Sequence, residues 1–142
     1  MERVKIKYLA DIEHIEKTGS GDWIDLRCAK DIELKAFEYA EIPLGVAIQL
    51  PRGFEALVAP RSSTFKKWGI IQTNGVGVID ETFCGDSDQW CMPVLAMRDT
   101  KIEKNDRICQ FRILFHQQPL DVQIVEQLGN ANRSGFGSTG RK

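Results

Sequence analysis

The chain has 142 residues, of which 42% are hydrophobic, and this size corresponds to one domain with a substantial core. Its 19 basic and 20 acidic residues give a net charge of -1, which argues against nonspecific binding to nucleic acid or to membranes. No run approaches the roughly 20 apolar residues of a membrane span, and the charged N-terminus MERVKIKYLADIEH lacks a signal peptide's apolar stretch. We therefore expect a cytoplasmic protein without nucleic-acid or membrane partners.

Short segments of alternating apolar residues run through the chain and predict β-strands. In chain order they are 4–9, 42–50, 53–60, 76–80, 90–98, 107–115 and 122–125. Pro93 predicts a sheet edge or a bulge in segment 90–98. Only RSSTFKKWG (61–69) looks helical, with a serine at its start and a closing glycine. The pattern predicts an all-β sandwich or barrel with one short helix and a glycine-rich C-terminal arm.

The four cysteines do not show the paired spacing of a zinc site. They are Cys28, Cys84, Cys91 and Cys109. In a cytosolic chain we expect reduced thiols, with Cys109 in the core.

The segment APRSST lies where a predicted strand ends and the predicted helix begins. Backbone N–H groups at a helix start, together with Arg61 and the hydroxyls of Ser62 and Ser63, would form an anion site. A simpler interpretation is that Ser62 or Ser63 only caps the helix.

Polar residues also interrupt apolar segments elsewhere. Asp80 directly follows an apolar run in NGVGVIDETFCGD, Asp25 lies between Ile24 and Leu26, and Gln110 interrupts RICQFRILF. A carboxylate in such a place costs free energy unless it has a partner or a task. Asp80 could be an ordinary turn residue of a tight hairpin, but the set as a whole suggests a phosphorylated ligand.

Five segments resemble, in order and spacing, the five motifs of trimeric deoxyuridine triphosphatases (dUTPases). They are TGSGDWIDLR, APRSSTFKKWGI, TNGVGVIDETFCGD, DRICQFRI and RSGFGSTG, which span residues 18–140. The WIDLR form is most similar to the enzymes of bacteriophages and prophages. The resemblance implies a jelly-roll-like β-domain over residues 1–128. It also implies a homotrimer in which a flexible arm, residues 129–142, closes over the active site of a neighbouring subunit.

The resemblance further implies hydrolysis of dUTP to dUMP and pyrophosphate, assisted by Mg²⁺, with water attacking the α-phosphorus. Such an enzyme limits uracil incorporation into DNA and supplies dUMP. Asp80 matches the aspartate that activates the water, and Asp25 matches the one that holds Mg²⁺ through water. Ser62 matches the serine beside the α,β-bridging oxygen. The other phosphate contacts would come from Arg61, Ser63 and Gln110.

The base, sugar and arm contacts are implied in the same way. Uracil recognition would come from the hairpin that includes Asn74, Gly77, Val78 and Ile79. Phe83 would pack on the deoxyribose. In the arm, Phe136 would stack on uracil, and the terminal phosphate would be bound by Gly137, Ser138 and Thr139. Arg133 is a further candidate for that phosphate, although it lies three residues before Phe136 rather than the family's usual five.

Three departures from the family pattern leave alternatives open. Phe83 stands where tyrosine is usual, Cys84 stands where arginine is common, and DSDQW (86–90) is longer than the matching stretch in many relatives. One alternative is a dCTP deaminase of the same fold. Another is a regulatory phage-type dUTPase that also binds a repressor protein, with DSDQW as a candidate surface. The third is a sandwich with no catalytic activity.

Overall fold

The computed structural model describes residues 1–16 and 21–135, and these residues form eleven β-strands and one short helix. In chain order the elements are β1 Lys5–Tyr8, β2 Ile24–Arg27, β3 Ile32–Leu34, β4 Tyr39–Pro43, β5 Val46–Gln49, β6 Phe54–Pro60, α1 Thr64–Trp68, β7 Ile70–Gln72, β8 Gly77–Ile79, β9 Cys91–Ala96, β10 Thr100–Ile102 and β11 Arg107–Phe115. The prediction of an all-β fold with one helix is confirmed.

The strands form two main antiparallel sheets that enclose the core. The larger sheet has the order β2-β11-β6-β8, and the smaller has the order β4-β9-β7. Strands β1 and β5 form one further pair, and β3 and β10 form another. Sheets that bury one face each are typical of sandwich architectures.

The core is apolar because alternate residues of the main strands point inward. Trp90 is fully buried and meets Phe111 edge to face, with ring centroids 5.3 Å apart. Cys109 lies in this core, as predicted, and all four cysteines are free thiols. Burial raises the pKa of the Cys109 and Cys28 thiols, which keeps them protonated and unreactive.

Segment 42–50 is two strands, β4 and β5, and not the single strand that its alternation predicts. The chain turns at Gly45, whose φ of +71° is unfavourable for other residues. A Cβ atom at this position would lie 2.9 Å from Cδ1 of Ile12. The apolar periodicity continues through the turn because residues on both sides of it face the core.

The predicted strand 122–125 is wrong. Residues 116–135 contain no helix or strand, and Val122 and Ile124 are 79% and 98% exposed. Alternating apolar residues form a strand only when a neighbouring strand supplies hydrogen-bond partners and a covered face. The described part of the chain provides neither for this segment.

The prediction that Pro93 marks a sheet edge or a bulge is also wrong. Strand β9 is the middle strand of its sheet and pairs with β4 and β7 in continuous register. The carbonyl of Pro93 accepts a hydrogen bond from Thr73 N–H, just beyond the end of β7. Pro93 therefore lies opposite Thr73, where the ladder between β7 and β9 has ended.

The predicted helix 61–69 is shorter than expected and covers Thr64–Trp68. Gly69 ends it in the left-handed conformation, as its position in the sequence suggests. Among the described residues, no helix has the length and apolar character that crossing a membrane requires.

Candidate functional site

The first group of predicted site residues meets on three adjacent strands of the larger sheet. Asp25 on β2 lies opposite Gln110 on β11, and Gln110 lies opposite Ala59 on β6. Gln110 Nε2 donates to the carbonyl of Pro60 at 3.1 Å, at the end of β6. The sheet therefore places Asp25, Gln110 and the start of APRSST side by side, although they are far apart in sequence.

Two arginines hold the carboxylate of Asp25. Arg61 Nε lies 2.9 Å from one oxygen and Arg107 Nη1 lies 3.3 Å from the other. Arg61 also donates to the backbone carbonyl of Arg107 at 3.2 Å. The Asp25 and Arg61 side chains are 31% and 22% exposed, so this pair is partly shielded from solvent. The three side chains form one connected cluster, here called the Asp25 cluster.

The start of α1 does not use its serines as caps. Ser63 occupies the N-cap position, but its side chain makes no capping hydrogen bond. Among the described residues, the hydroxyls of Ser62 and Ser63 have no hydrogen-bond partner, and Ser62 is exposed. The interpretation of these serines as helix caps only is therefore wrong. Both hydroxyls remain available for a ligand.

Thr64 performs the local structural task instead. Its side chain is fully buried, and its Oγ1 accepts a hydrogen bond from Arg61 N–H at 2.8 Å. The same hydroxyl donates to the carbonyl of Ile108 at 2.9 Å. The register of β11 against β2 shifts between Arg107 and Cys109, so Ile108 is the extra residue of a β-bulge. Thr64 thus supplies a hydrogen-bond donor to the carbonyl of the bulged residue Ile108 and fixes the backbone of Arg61.

Asp80 lies at the end of β8 and begins a tight turn. Its Oδ1 accepts hydrogen bonds from the backbone N–H of Thr82, at 2.7 Å, and from the Thr82 hydroxyl. Phe83 N–H donates to the Asp80 carbonyl at 3.2 Å. The Thr82 side-chain hydrogen bond, followed by the backbone hydrogen bond of Thr82, lowers the pKa of Asp80. Asp80 is exposed, and no cation pairs with it among the described residues.

The neighbouring Glu81 anchors this turn. It accepts a hydrogen bond from Gly53 N–H at 2.8 Å and lies 3.6 Å from His116 Nε2. His116 N–H in turn donates to the carbonyl of Gly53. Phe83, at the far side of the turn, is 39% exposed. The turn therefore presents Asp80 and Phe83 to solvent from a fixed base.

The segment Thr73–Val76 connects the two sheets, because β7 belongs to one and β8 to the other. Gln72 is 4% exposed and donates from Nε2 to the carbonyl of Val58 at 3.0 Å and to Asn74 Oδ1 at 2.9 Å. Gly77 is buried beside them, and Val78 is 62% exposed. Ile79 is half-buried and pairs with Ala56. The hairpin predicted to bind the base is thus a polar, partly exposed crossing between the sheets.

Within one chain, the Asp25 cluster and Asp80 do not meet. Three strand spacings, about 14 Å in total, separate β2 from β8. Along β6, Ala59 lies opposite Gln110 and Ala56 lies opposite Ile79, so Asp80 is offset from Ala59 by four residues, or about 13 Å. The backbone positions of Asp25 and Asp80 are therefore roughly 19 Å apart, too far for both side chains to contact one triphosphate group in the same subunit.

The residues predicted in the arm fall mainly outside the described ranges. Phe136, Gly137, Ser138 and Thr139 are not described, and their roles stay predictions. Arg133 is described, exposed and without regular structure.

The acidic residues do not form a metal site made by protein alone. Residues 1–16 and 21–135 contain no cluster of three or more His, Cys, Asp or Glu side chains that could hold an ion. Asp25 is a single carboxylate that faces two arginines. Mg²⁺ keeps several waters and takes phosphate oxygens as ligands. The donors therefore fit an ion held chiefly by a nucleotide's phosphates, with Asp25 contacting it through water.

Comparisons with known proteins identify the class. The dUTPase family model matches residues 12–140. A prophage-derived deoxyuridine 5'-triphosphate nucleotidohydrolase, YosS of Bacillus subtilis, is 55% identical over 141 residues, which cover 99% of each chain. The deoxyuridine 5'-triphosphate nucleotidohydrolase of Hydrogenobaculum is 36% identical over 130 residues, with 88% of each chain covered.

Solved structures agree on the fold. The dUTPase of Staphylococcus bacteriophage 80alpha with dUPNHPP superposes with a TM-score of 0.81 at 21% identity, covering 98% of this chain and 99% of that one. The dUTPase of phage phi11 of S. aureus, whose structure describes the coordination of a structural Mg(II) ion, has a TM-score of 0.74 at 17% identity. It covers 89% of this chain and 98% of its own.

This chain belongs to the dUTPase family. The family match and the 55% identical relative both favour the hydrolase over the deaminase that shares its fold. Sequence patterns did not predict the roles of Thr64, Gln72 and Thr82. Thr64 and Thr82 are polar residues inside motif segments, which was the available signal, whereas Gln72 lies between two of those segments.

Proposed function

We propose that this chain hydrolyses dUTP to dUMP and pyrophosphate, and so limits uracil incorporation into DNA while supplying dUMP. The observation that carries the proposal is the arrangement at the end of β8. Asp80 is exposed and has a lowered pKa, and the crossing that holds Asn74 directly precedes its strand. A base-binding segment next to an ionised carboxylate is suited to a nucleotide hydrolase.

Asp80 is the general base in this proposal. Like any aspartate with an ordinary or lowered pKa, it is ionised at neutral pH, and Thr82 engages only Oδ1. Oδ2 is therefore free to accept a proton from the water that attacks the α-phosphorus. The anchoring of Glu81 on Gly53 keeps the turn in place while this happens.

The Asp25 cluster is the phosphate end. The free hydroxyl of Ser62 would lie beside the α,β-bridging oxygen, where charge develops as pyrophosphate leaves. Arg61, Ser63 and Gln110 supply the surrounding donors. When bound, Mg²⁺ neutralises triphosphate charge and orders its conformation, and Asp25 would contact it through water. Binding of the anion would also draw Arg61 away from Asp25, since phosphate competes for the same guanidinium.

The crossing between β7 and β8 is the base pocket in this proposal. Backbone groups of Gly77, Val78 and Ile79, with the Asn74 carboxamide, would pair with uracil. Phe83 would pack on the deoxyribose, where a phenyl ring leaves no room for a 2′-hydroxyl. A site built to satisfy one pattern of donors and acceptors rejects the opposite pattern strongly.

A homotrimer with shared active sites would bring the two ends together. The separation of roughly 19 Å within one chain supports a site in which the phosphate end and Asp80 come from different subunits. Val78 is 62% exposed on the larger sheet. Residues 116–135 also carry exposed apolar side chains, which are typical of segments that dock on a partner. They are Leu120, Val122, Ile124, Val125 and Leu128.

The arm completes the proposed site. Residues 129–142 would close over a neighbouring subunit, with Phe136 stacked on uracil. Gly137, Ser138 and Thr139 would hold the terminal phosphate, and Arg133 is a further candidate for it. Closure would exclude water other than the nucleophile.

Activity and specificity are tested by pyrophosphate release from dUTP, dTTP, dCTP and UTP in parallel, with and without Mg²⁺. We expect rapid release from dUTP only. Comparable release from dCTP or UTP would contradict the proposed base and sugar contacts.

Shared sites are tested by mixing two inactive variants. Asp80→Asn chains and chains truncated before Gly135 are refolded together, so that mixed trimers can contain an intact site. Activity above the sum of the two parents is expected. If mixtures never exceed that sum, the active sites are not shared between subunits.

A second, regulatory role remains a proposal for the segment 86–90, in which Trp90 is fully buried and only the residues before it can form a surface. The Asp86 side chain is 90% exposed, and the turn is closed by Asp88, which accepts from Gly85 N–H at 2.8 Å. A repressor protein would bind this acidic turn beside the Asp80 loop, with the nucleotide altering its affinity. Binding to a candidate repressor that is the same with and without dUTP would contradict this role.

A further inference from the structure

Gln72 is a polar residue in a buried position. It ends β7 of the smaller sheet, and it is 4% exposed. Its Oε1 is buried and has no hydrogen-bond partner among the described residues. A buried orphan acceptor is destabilising, and the hydrogen bonds that the other end of the carboxamide makes are what offset it.

The polarity of the Gln72 carboxamide is fixed by the backbone. The carbonyl of Val58 can only accept a hydrogen bond, so the atom of Gln72 that lies 3.0 Å from it must be Nε2. The second hydrogen of Nε2 points to Asn74, at 2.9 Å. The atom of Asn74 that faces Gln72 must therefore be the oxygen, Oδ1.

These two hydrogen bonds determine which group Asn74 presents on the side away from Gln72. With Oδ1 turned to Gln72, the Nδ2 amide group points away, toward Gly77. A Cβ atom on Gly77 would lie 3.5 Å from Nδ2 and 3.2 Å from Cβ of Val58, so the missing side chain leaves this face of Asn74 open. Asn74 itself is exposed, and its free group is a donor.

We propose that Gln72 is a positioning residue for base selectivity: it holds the Asn74 carboxamide so that its N–H₂, and not its oxygen, is presented to the pyrimidine. Uracil carries an acceptor oxygen at C4, whereas cytosine carries an amino donor there. The donor of Asn74 matches uracil and opposes cytosine. This inference rests on the proposed role of Asn74 in base binding.

Gln72→Met tests the inference, because methionine has a similar volume and no amide. Without the relay, the Asn74 carboxamide can turn either way. We expect the ratio of the inhibition constants of dCDP and dUDP to fall roughly three- to tenfold, the worth of one hydrogen bond. The KM for dUTP should rise while kcat stays within about twofold. An unchanged ratio, or equal weakening of both nucleotides, would overturn the inference.

A second variant guards against a folding defect in Gln72→Met. In Gln72→Glu the side chain can accept from Asn74 Nδ2 and so turn Oδ1 toward the base. We expect the dCDP to dUDP ratio to fall further than in Gln72→Met.

Thr64→Val is the matched control, because it also removes a buried polar group but lies at the phosphate end, which both nucleotides share. Its ratio should stay at the wild-type value while both affinities fall.

Asn74→Ala separates the two levels of the hypothesis. If this variant leaves the ratio unchanged, Asn74 does not read the base, and the proposed function loses that contact. If Asn74→Ala lowers the ratio but Gln72→Met does not, only the role of Gln72 is wrong. If Asn74 reads the base and Gln72 orients Asn74, Gln72→Met has no further effect on the ratio in the Asn74→Ala background, because the two residues act as one unit.

Discussion

Two regions of the larger sheet, at β2 and at the end of β8, each present a carboxylate. The charges and hydrogen-bond donors around the two carboxylates differ. Asp25 is 31% exposed and lies between Arg61 and Arg107. Asp80 is exposed, lacks a cationic partner among the described residues, and accepts hydrogen bonds from Thr82 two residues along the chain. The carboxylate of Asp25 therefore forms ion pairs with two arginines, whereas that of Asp80 forms none within the described part of the chain.

This difference suits the two carboxylates to different tasks. A carboxylate whose two oxygens each contact a guanidinium group has no free oxygen with which to bind an attacking water. It is well placed to orient arginines and an ion around phosphates. A carboxylate with one free oxygen and no cation is suited to accept a proton from water. The contrast assigns the base to Asp80 and the charge organiser to Asp25.

Asp80→Asn should produce the largest effect and is the strongest test of the contrast. Asparagine preserves size but cannot accept a proton at neutral pH, and loss of a general base typically costs about 10²–10⁴-fold in rate. We expect kcat for dUTP to collapse by that factor while the affinity for a non-hydrolysable analogue is kept. Turnover like that of the wild type would remove Asp80 from the mechanism.

Asp25→Asn should be milder and should change a different quantity. Groups that hold a metal through an outer shell typically contribute about 10–100-fold to affinity or activity. We expect the Mg²⁺ concentration needed for half-maximal binding of the analogue to rise by about that factor. Binding of the analogue without Mg²⁺ serves as the control and should change far less. A variant with unchanged Mg²⁺ dependence would show that Asp25 serves only its arginines.

Thr64→Val sharpens the contrast from the structural side, with a smaller expected effect. Valine keeps the shape but leaves Ile108 C=O and Arg61 N–H without their partner, and an unpaired buried polar group costs about 1–3 kcal/mol. We expect a lower melting temperature and a KM for dUTP raised about tenfold. Thr64→Ser keeps the hydroxyl and should restore most of both. If the serine variant behaves like the valine variant, packing of the methyl group is what matters.

The same two regions explain how far the sequence could predict the molecule. The hydrogen bonds to the Asp80 side chain come from Thr82, two residues along the chain, so the matching motif segment TNGVGVIDETFCGD contains both residues. The Asp25 cluster depends on contacts between distant segments, such as the hydrogen bond from Thr64 to Ile108 across 44 residues. No local pattern reveals that a bulge at Ile108 leaves a carbonyl to which Thr64 can donate. The site residues could therefore be named from the motif resemblance, but their supporting contacts could not.

The strands show the same limit. A nine-residue strand such as β11 has enough alternation to be predicted, whereas the three-residue strands β3 and β10 are too short for any period. Segment 122–125 had the alternation but has no partner strand within the described chain. Periodicity reports which face of a segment is apolar, and only tertiary structure decides whether that face is covered.

Thr82→Val should give the smallest effect and tests what lowers the pKa of Asp80. The hydroxyl of Thr82 donates to Asp80 and is the first cause of its lowered pKa. A donor to the charged form lowers a pKa, so its removal should raise the pKa of Asp80 toward the ordinary value of 3.8. Asp80 would then take up a proton at a higher pH, and the acid limb of the kcat/KM profile should move upward. At neutral pH the carboxylate stays ionised in both proteins, so turnover there should change little.

The measurement is an NMR titration of the Asp80 carboxyl carbon in wild type, Thr82→Val and Thr82→Ser. Serine keeps the donor and should titrate like the wild type, which separates the hydroxyl from the methyl group. An unshifted titration in Thr82→Val would mean that the backbone N–H groups of the turn alone hold the pKa down. In that case the backbone of the turn alone would lower the pKa of Asp80, and the contrast with the side-chain partners of Asp25 would become sharper.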